Sequence, residues 1–227
     1  MKPRFFLALF AGAAFFSLLA DDRFPLLFES DFSGSDLSKW DPVNPEGWKI
    51  TKLDDGNEVL ENTGKTAYQP PHRSPRNIAL LKDVVVGDFV LTARVQTRQT
   101  SRGHRDMCLF FGHQDPAHFY YMHLGQKRDD HANQIFIVNE APRIKISEKA
   151  SEGTPWKDEE WHKVKVVRKV ADGLIEIYFD DMENPSHVAH DKTFTWGRVG
   201  VGTFDDLGYW DDVELRGVKV EKPKAKP

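Results

Sequence analysis

Three short runs of aromatic and β-branched residues follow one another between Arg105 and Asn139, and they constrain the fold more than any other part of the chain. Met107–His113 ends at Gln114-Asp115-Pro116, where the proline has no N–H to give a ladder. His118–Leu124 follows at once, and Gln134–Asn139 comes after a polar loop. Strand-forming residues bounded by turn residues predict three antiparallel strands in sequence. These strands also carry His113, Tyr121, His123, Gln134 and Asn139 among residues that would otherwise make a plain core. A sheet with one face buried and the other bearing imidazoles, phenols and amides suits a ligand-facing surface.

The same pattern recurs along the chain. In Asp88–Arg98, Phe89, Leu91, Ala93 and Val95 alternate with Thr92, Arg94, Gln96 and Arg98, the period of a half-buried strand. Trp161–Arg168 and Leu174–Phe179 flank Ala171-Asp172-Gly173 and predict a hairpin. No segment keeps a helical period beyond a turn or two, and no internal repeat is visible. Roughly a dozen short strands separated by turn signals predict an all-β fold, a two-sheet antiparallel β-sandwich or jelly roll.

The two ends read differently from the middle. Lys2 and Arg4 precede the apolar run Phe5–Leu19, and Ala20 precedes Asp21-Asp22, the layout of a secretory signal peptide spanning 1–20 with cleavage near Ala20. The expectation is a secreted or periplasmic protein without membrane attachment after cleavage. A single domain would occupy 21–220, with the Pro/Lys-rich 221–227 a disordered tail. Removing Lys2 and Arg4 takes the formal charge from −4 to −6, which gives no case for nucleic acid. Cys108 is the only cysteine, so no intramolecular disulfide forms, and its place in a strand makes it a small buried hydrophobe.

Several segments carry a resemblance. Phe28–Ser33 (FESDFS) with Asp36–Trp40 (DLSKW), Gly47–Ile50 (GWKI), Trp161–Arg168 (WHKVKVVR), Gly173–Asp181 (GLIEIYFDD), Gly197–Asp206 (GRVGVGTFDD) and Asp211–Leu215 (DDVEL) resemble the concanavalin A-like lectin/glucanase superfamily, including its laminin G-like and sugar-hydrolase members. The resemblance spans nearly all of the chain after residue 20. It implies a concanavalin A-like sandwich that binds or processes a polysaccharide or glycan through the sheet holding 105–139. A laminin G-type protein-interaction module is a further reading.

Candidate ligand-binding residues are Arg94, Gln96, His113, Tyr121, His123, Gln134 and Arg143. The E-x-D-x-E strand of the retaining glucanases in the superfamily is absent, and adjacent acids such as Asp180-Asp181 point to opposite faces of a strand. Arg94-x-Gln96-x-Arg98 and Tyr121-x-His123 instead echo the superfamily's alginate lyases, in which Arg or Gln neutralises a uronate while Tyr and His move protons. Tyr121 and His123 are therefore the catalytic candidates if the protein is a polysaccharide lyase or glycoside hydrolase. Trp156, after Gly153-Thr154-Pro155, is a candidate sugar-stacking platform. Relatives bind a structural Ca²⁺ through acids on the first and last strands, which here are Glu29, Asp31, Asp211 and Asp212.

Overall fold

The structure, a computed structural model, describes residues 24–34, 36–98 and 105–222. The expected signal segment, the tail from 223 onward and His104 lie outside the described residues. Fifteen strands run in order: β1 (Leu26–Ser30), β2 (Trp40–Pro42), β3 (Trp48–Lys52), β4 (Glu58–Asn62), β5 (Asn77–Leu81), β6 (Val86–Thr97), β7 (Met107–Asp115), β8 (His118–Leu124), β9 (Gln134–Asn139), β10 (Ile144–Lys145), β11 (His162–Lys169), β12 (Leu174–Phe179), β13 (His187–His190), β14 (Arg198–Thr203) and β15 (Gly208–Lys219). A single 3-10 turn at Pro45–Gly47 is the only helical element among the described residues, and no helix there is long and apolar enough to cross a membrane.

The strands form two antiparallel sheets packed face to face. One has eight strands in the order β13-β12-β11-β6-β15-β4-β3, with β1 paired to β15. The other has seven, in the order β10-β9-β8-β7-β14-β5-β2. Alternation decides what lies between them. Phe89, Leu91, Ala93 and Val95 of β6 point inward to meet Leu109 and Phe111 of β7 and Tyr120, Met122 and Leu124 of β8. Trp210, Val213 and Leu215 of β15 join the same core. Each large side chain buried there contributes roughly 1.5–3 kcal/mol against the entropy of ordering the chain. Trp156 also packs here rather than forming a platform: it is 6% exposed, its indole N–H donates to Leu124 O at 2.7 Å, and its ring abuts Phe179.

A buried guanidinium closes one end of the sandwich. Arg168, 2% exposed, donates through Nη1 to Gly173 O (2.6 Å) and Leu174 O (3.4 Å), and through Nη2 to Asp191 O (2.8 Å) and Phe194 O (3.0 Å). It thereby ties the β11–β12 turn, where Gly173 takes φ of +83°, to the 191–194 segment ahead of β14. The Tyr120 hydroxyl works on the same segment, donating to the Asp191 carboxylate and accepting from Phe194 N at 2.9 Å. Replacing Arg168 with Met would remove the side-chain donor from all of them, and although Gly173 O keeps its bond from Asp191 N, each carbonyl left without a partner would cost about 1–3 kcal/mol. Arg168→Met is therefore expected to cost at least about 3 kcal/mol in urea unfolding, and a loss below about 1 kcal/mol would contradict this account.

Candidate functional site

The sheet that holds 105–139 is the seven-stranded one, and its outward face is apolar as well. Ile78, Leu80, Cys108, Phe110, Phe119, Tyr121, Phe136 and Val138 form a second buried cluster, packed against Val43 and Phe204. Tyr121 stacks on Phe136 at 5.1 Å and on Phe110 at 5.9 Å, and it is fully buried. His123, 3% exposed, takes the Asn133 backbone N–H on Nδ1 at 3.3 Å and packs on Phe204. The surface expected to face ligand is thus closed along its middle. Alternation puts Tyr121 and His123 on the outward side as expected, but elements distant in sequence cover them.

The face opens at one end, where β7 is irregular. Phe111 pairs with Tyr120 and Asp115 with His118, so three residues of β7 stand opposite Phe119 alone. Such a bulge re-aims the side chains it carries. Gly112 at its start takes φ of +58°, and Gly197 leaves room for it: a Cβ at Gly197 would lie 2.2 Å from the Gly112 carbonyl carbon. The bulge turns His113 outward, where it stacks on Phe119 at 5.2 Å and pairs across the ladder with Arg198.

The result is a cleft of about 340 Å³ lined by Asp41, Lys82, Asp83, Val85, His113, Gln114, Trp196, Arg198 and Lys222. Arg198 pairs with Asp41 at 2.5 Å, and Gln114 Nε2 donates to Trp196 O at 3.1 Å, which fixes the half-buried tryptophan at the wall. His113 Nδ1 is buried without a hydrogen-bond partner. Burial, reinforced by the Arg198 charge, pulls the His113 pKa down to about 4, so the ring is neutral near pH 7. The cleft therefore offers a neutral imidazole, an amide, an Arg–carboxylate pair and an aromatic wall in one place.

The other expected ligand residues fall elsewhere. Arg94 and Gln96 lie on the outer face of the opposite sheet: Arg94 sits 4.8 Å over the Trp161 ring and 3.2 Å from Asp212, and Gln96 donates to Glu159 O. Gln134 lines a separate charged depression with Arg128, Asp130 and Lys145. Arg143 lies over Phe136 and Phe204 on the covered part of the seven-stranded sheet. Only His113 of the expected set lies in the open cleft. Trp196, Asp41 and Arg198 complete it, and alternation alone gives no notice of them.

Glu29, Asp31 and Asp212 do line one polar depression between the first and last strands, with Glu214. Three of these four acids already have partners. Asp31 accepts from Ser33 N and Oγ, Asp212 meets Arg94, and Glu214 meets Arg216. Asp211 is turned to Asn57 Nδ2 at 2.8 Å. These acids do not converge as an oxygen cage. Among the described residues only Asp106, Asp205 and Asp206 bring three carboxylates within 4.8 Å of one another. There, burial and the Asp206 charge raise Asp106 to about 8, and its oxygen accepts from the Thr203 hydroxyl and Phe204 N.

No protein-family model matches the sequence, and no curated protein matches it. Solved structures do. The chain is similar to the carbohydrate binding module CBM66 from Bacillus subtilis, with 17% identity, a TM-score of 0.56, and 79% of this chain and 96% of that one covered. A Bacillus subtilis protein of unknown function with a galectin-like fold aligns at 12% identity and a TM-score of 0.53, covering 87% and 97%. The fold is a lectin-like β-sandwich. Domain 4 of the GH43 extracellular arabinanase AbnA from Geobacillus stearothermophilus, solved with arabinotriose, shares this lectin-like architecture at 11% identity and a TM-score of 0.51, covering 86% and 94%.

The neutral state of His113 has a measurable consequence. Its folded pKa lies below the ordinary value of 6.5, so between pH 6.5 and 4 the unfolded chain takes up a proton that the folded site refuses. Stability from this group is complete above pH 6.5 and is lost as pH falls toward 4, at up to about 1.4 kcal/mol per pH unit. His113→Gln is expected to flatten the stability–pH slope in that window by about one proton. An unchanged slope in chemical denaturation would show that the ring titrates freely.

Proposed function

We propose that the protein binds carbohydrate in the cleft formed by Asp41, His113, Gln114, Trp196 and Arg198. The observation that carries this reading is the Trp196 wall set beside fixed planar polar groups. A sugar ring has an apolar C–H face, which suits an indole, and a rim of hydroxyls, which suits a carboxylate–guanidinium pair, an amide and a neutral imidazole. Pockets that fix a small ligand combine apolar walls with a few placed polar groups in this way. The Asp41–Arg198 pair and the Gln114–Trp196 bond are already formed, so little side-chain entropy remains to be lost on binding. The sandwich shared with a carbohydrate binding module and with an arabinanase domain solved with arabinotriose supports the same reading.

Export fits a role in contacting extracellular glycans: residues 1–20 act as the signal and the sandwich works in the periplasm or outside the cell. Binding is proposed here rather than cleavage, because Tyr121 and His123 are closed off from the cleft and from solvent.

The test is affinity electrophoresis or calorimetry against a panel of neutral and acidic plant, algal and bacterial polysaccharides. Trp196→Ala is expected to weaken the best binder by at least about tenfold, or about 1.4 kcal/mol, with the melting temperature nearly unchanged because Trp196 is not core. Full affinity in Trp196→Ala, or no binder in the panel, would overturn the assignment.

A further inference from the structure

The outer face of the eight-stranded sheet, on the far side of the sandwich from the cleft, carries a second cavity. It measures about 320 Å³, and its polar lining is Thr92 and Arg94 of β6, Lys163 and Lys165 of β11 and Asp212 of β15. Register brings the cations together: Arg94 pairs with Lys163 across the β6–β11 ladder, and Thr92 with Lys165. Partners in register share a face, and like charges directly opposite one another destabilise a sheet. A ligand that places negative charge there relieves that repulsion.

The acids around the cavity do not offset all of this charge. Asp212 and Asp211 approach Arg94 at 3.2 and 3.6 Å, both at Nη1. Asp180 is held by His162 Nδ1 and the Lys163 backbone N–H, and Glu214 is paired with Arg216. Lys165 is buried, its ammonium donating to Met182 O at 2.9 Å and lying 4.2 Å over the Tyr178 ring. Lys163 is exposed and forms no ion pair among the described residues.

Arg94 is also held in place. Its guanidinium lies 4.8 Å over the half-buried Trp161 ring, which stacks beside Tyr209 at 6.4 Å. With Nη1 turned to the acids, its Nε–Nη2 edge has no hydrogen-bond partner among the described residues. Such an edge is a fork that takes two oxygens of a carboxylate or sulfate at once. The aromatic stack and the ion pair fix the fork before a ligand arrives, so less side-chain entropy is lost on binding.

We propose that the cavity at Arg94, Lys163 and Lys165 is a second binding site, for the carboxylate or sulfate ester of an acidic polysaccharide. The Arg94 fork takes two of the oxygens, Lys163 pairs with the remaining charge, and Lys165 adds positive potential from beneath the surface. The choice of a glycan as carrier rests on the carbohydrate reading above; the anion site rests on this cavity alone. Because the cleft and the cavity belong to opposite sheets, one molecule holds two chains, or two parts of one chain, at once.

The test is affinity electrophoresis of the purified protein in polygalacturonate, dextran sulfate or neutral dextran at matched ionic strength. Polygalacturonate reports a carboxylate and dextran sulfate a sulfate ester. Wild type is expected to bind one of the acidic polymers at least about tenfold more tightly than dextran. Lys163→Gln removes one of two facing cations, so it should melt no lower than wild type while lowering that preference several-fold. Arg94→Lys keeps the charge but loses the fork and should lower it to a similar extent. Lys127→Gln, which removes an exposed charge elsewhere, and Trp196→Ala, which disables the cleft, should leave the preference intact.

No acidic preference in wild type, or one unmoved by Lys163→Gln, overturns the site. A preference that falls equally in Lys127→Gln reports net charge alone, and one lost in Trp196→Ala belongs to the cleft; either result overturns it as well. If the cleft binds no sugar, an acidic preference lost in Lys163→Gln and Arg94→Lys still upholds this site.

Discussion

A single guanidinium inside the protein holds the geometry on which the open end depends. Arg168 donates to four backbone carbonyls from two segments, the β11–β12 turn and the stretch from Asp191 to Phe194, which a backbone bond from Asp191 N to Gly173 O also joins. The second stretch runs directly into Trp196, Gly197 and Arg198. With Tyr120 gripping the same residues from the facing sheet, the wall of the cleft is fixed from inside the core rather than by surface contacts. A positioned site needs such support, because an irregular loop alone leaves side chains free to wander.

The strands were largely legible because period two survives in any half-buried ladder. The runs His118–Leu124, Gln134–Asn139 and Leu174–Phe179 occur as read, and Phe89, Leu91, Ala93 and Val95 enter the core together. Alternation says which residues share a face, but not whether the face is open. Tyr121 and His123 share theirs with Phe119, yet Val43 and Phe204, from distant parts of the chain, help to seal it. A polar residue among aromatics therefore gave a correct side and an incorrect environment. β2, with only three residues, and β13 were too short for a period to show.

The cleft was illegible for a different reason. Asp41, His113, Trp196 and Arg198 meet only after β2, β5, β14 and β7 have paired in that spatial order, which local patterning does not encode. One clue was present. A glycine within an otherwise regular strand run marks a bulge or a close backbone approach, and Gly112 in the strand run ending Phe110-Phe111-Gly112-His113 with Gly197 after Trp196 are such positions. The family resemblance placed the acids of the first and last strands near one another, but arginines on neighbouring positions, Arg94 and Arg216, already neutralise two of the carboxylates at that depression.

The pairing of β1 with β15 carries a mechanical consequence. Leu26 lies opposite Arg216 and Ser30 opposite Val213, so the two ends of the domain emerge at the same end of one antiparallel ladder. Tension applied between them would load its hydrogen bonds one after another, like a zipper, rather than all at once in shear. β1 would peel away first, because its only ladder partner is β15, whereas β15 stays anchored to β6 along most of its length. A sandwich tethered through its ends would yield at low force by shedding that strand, while the seven-stranded sheet and the cleft it carries remained folded.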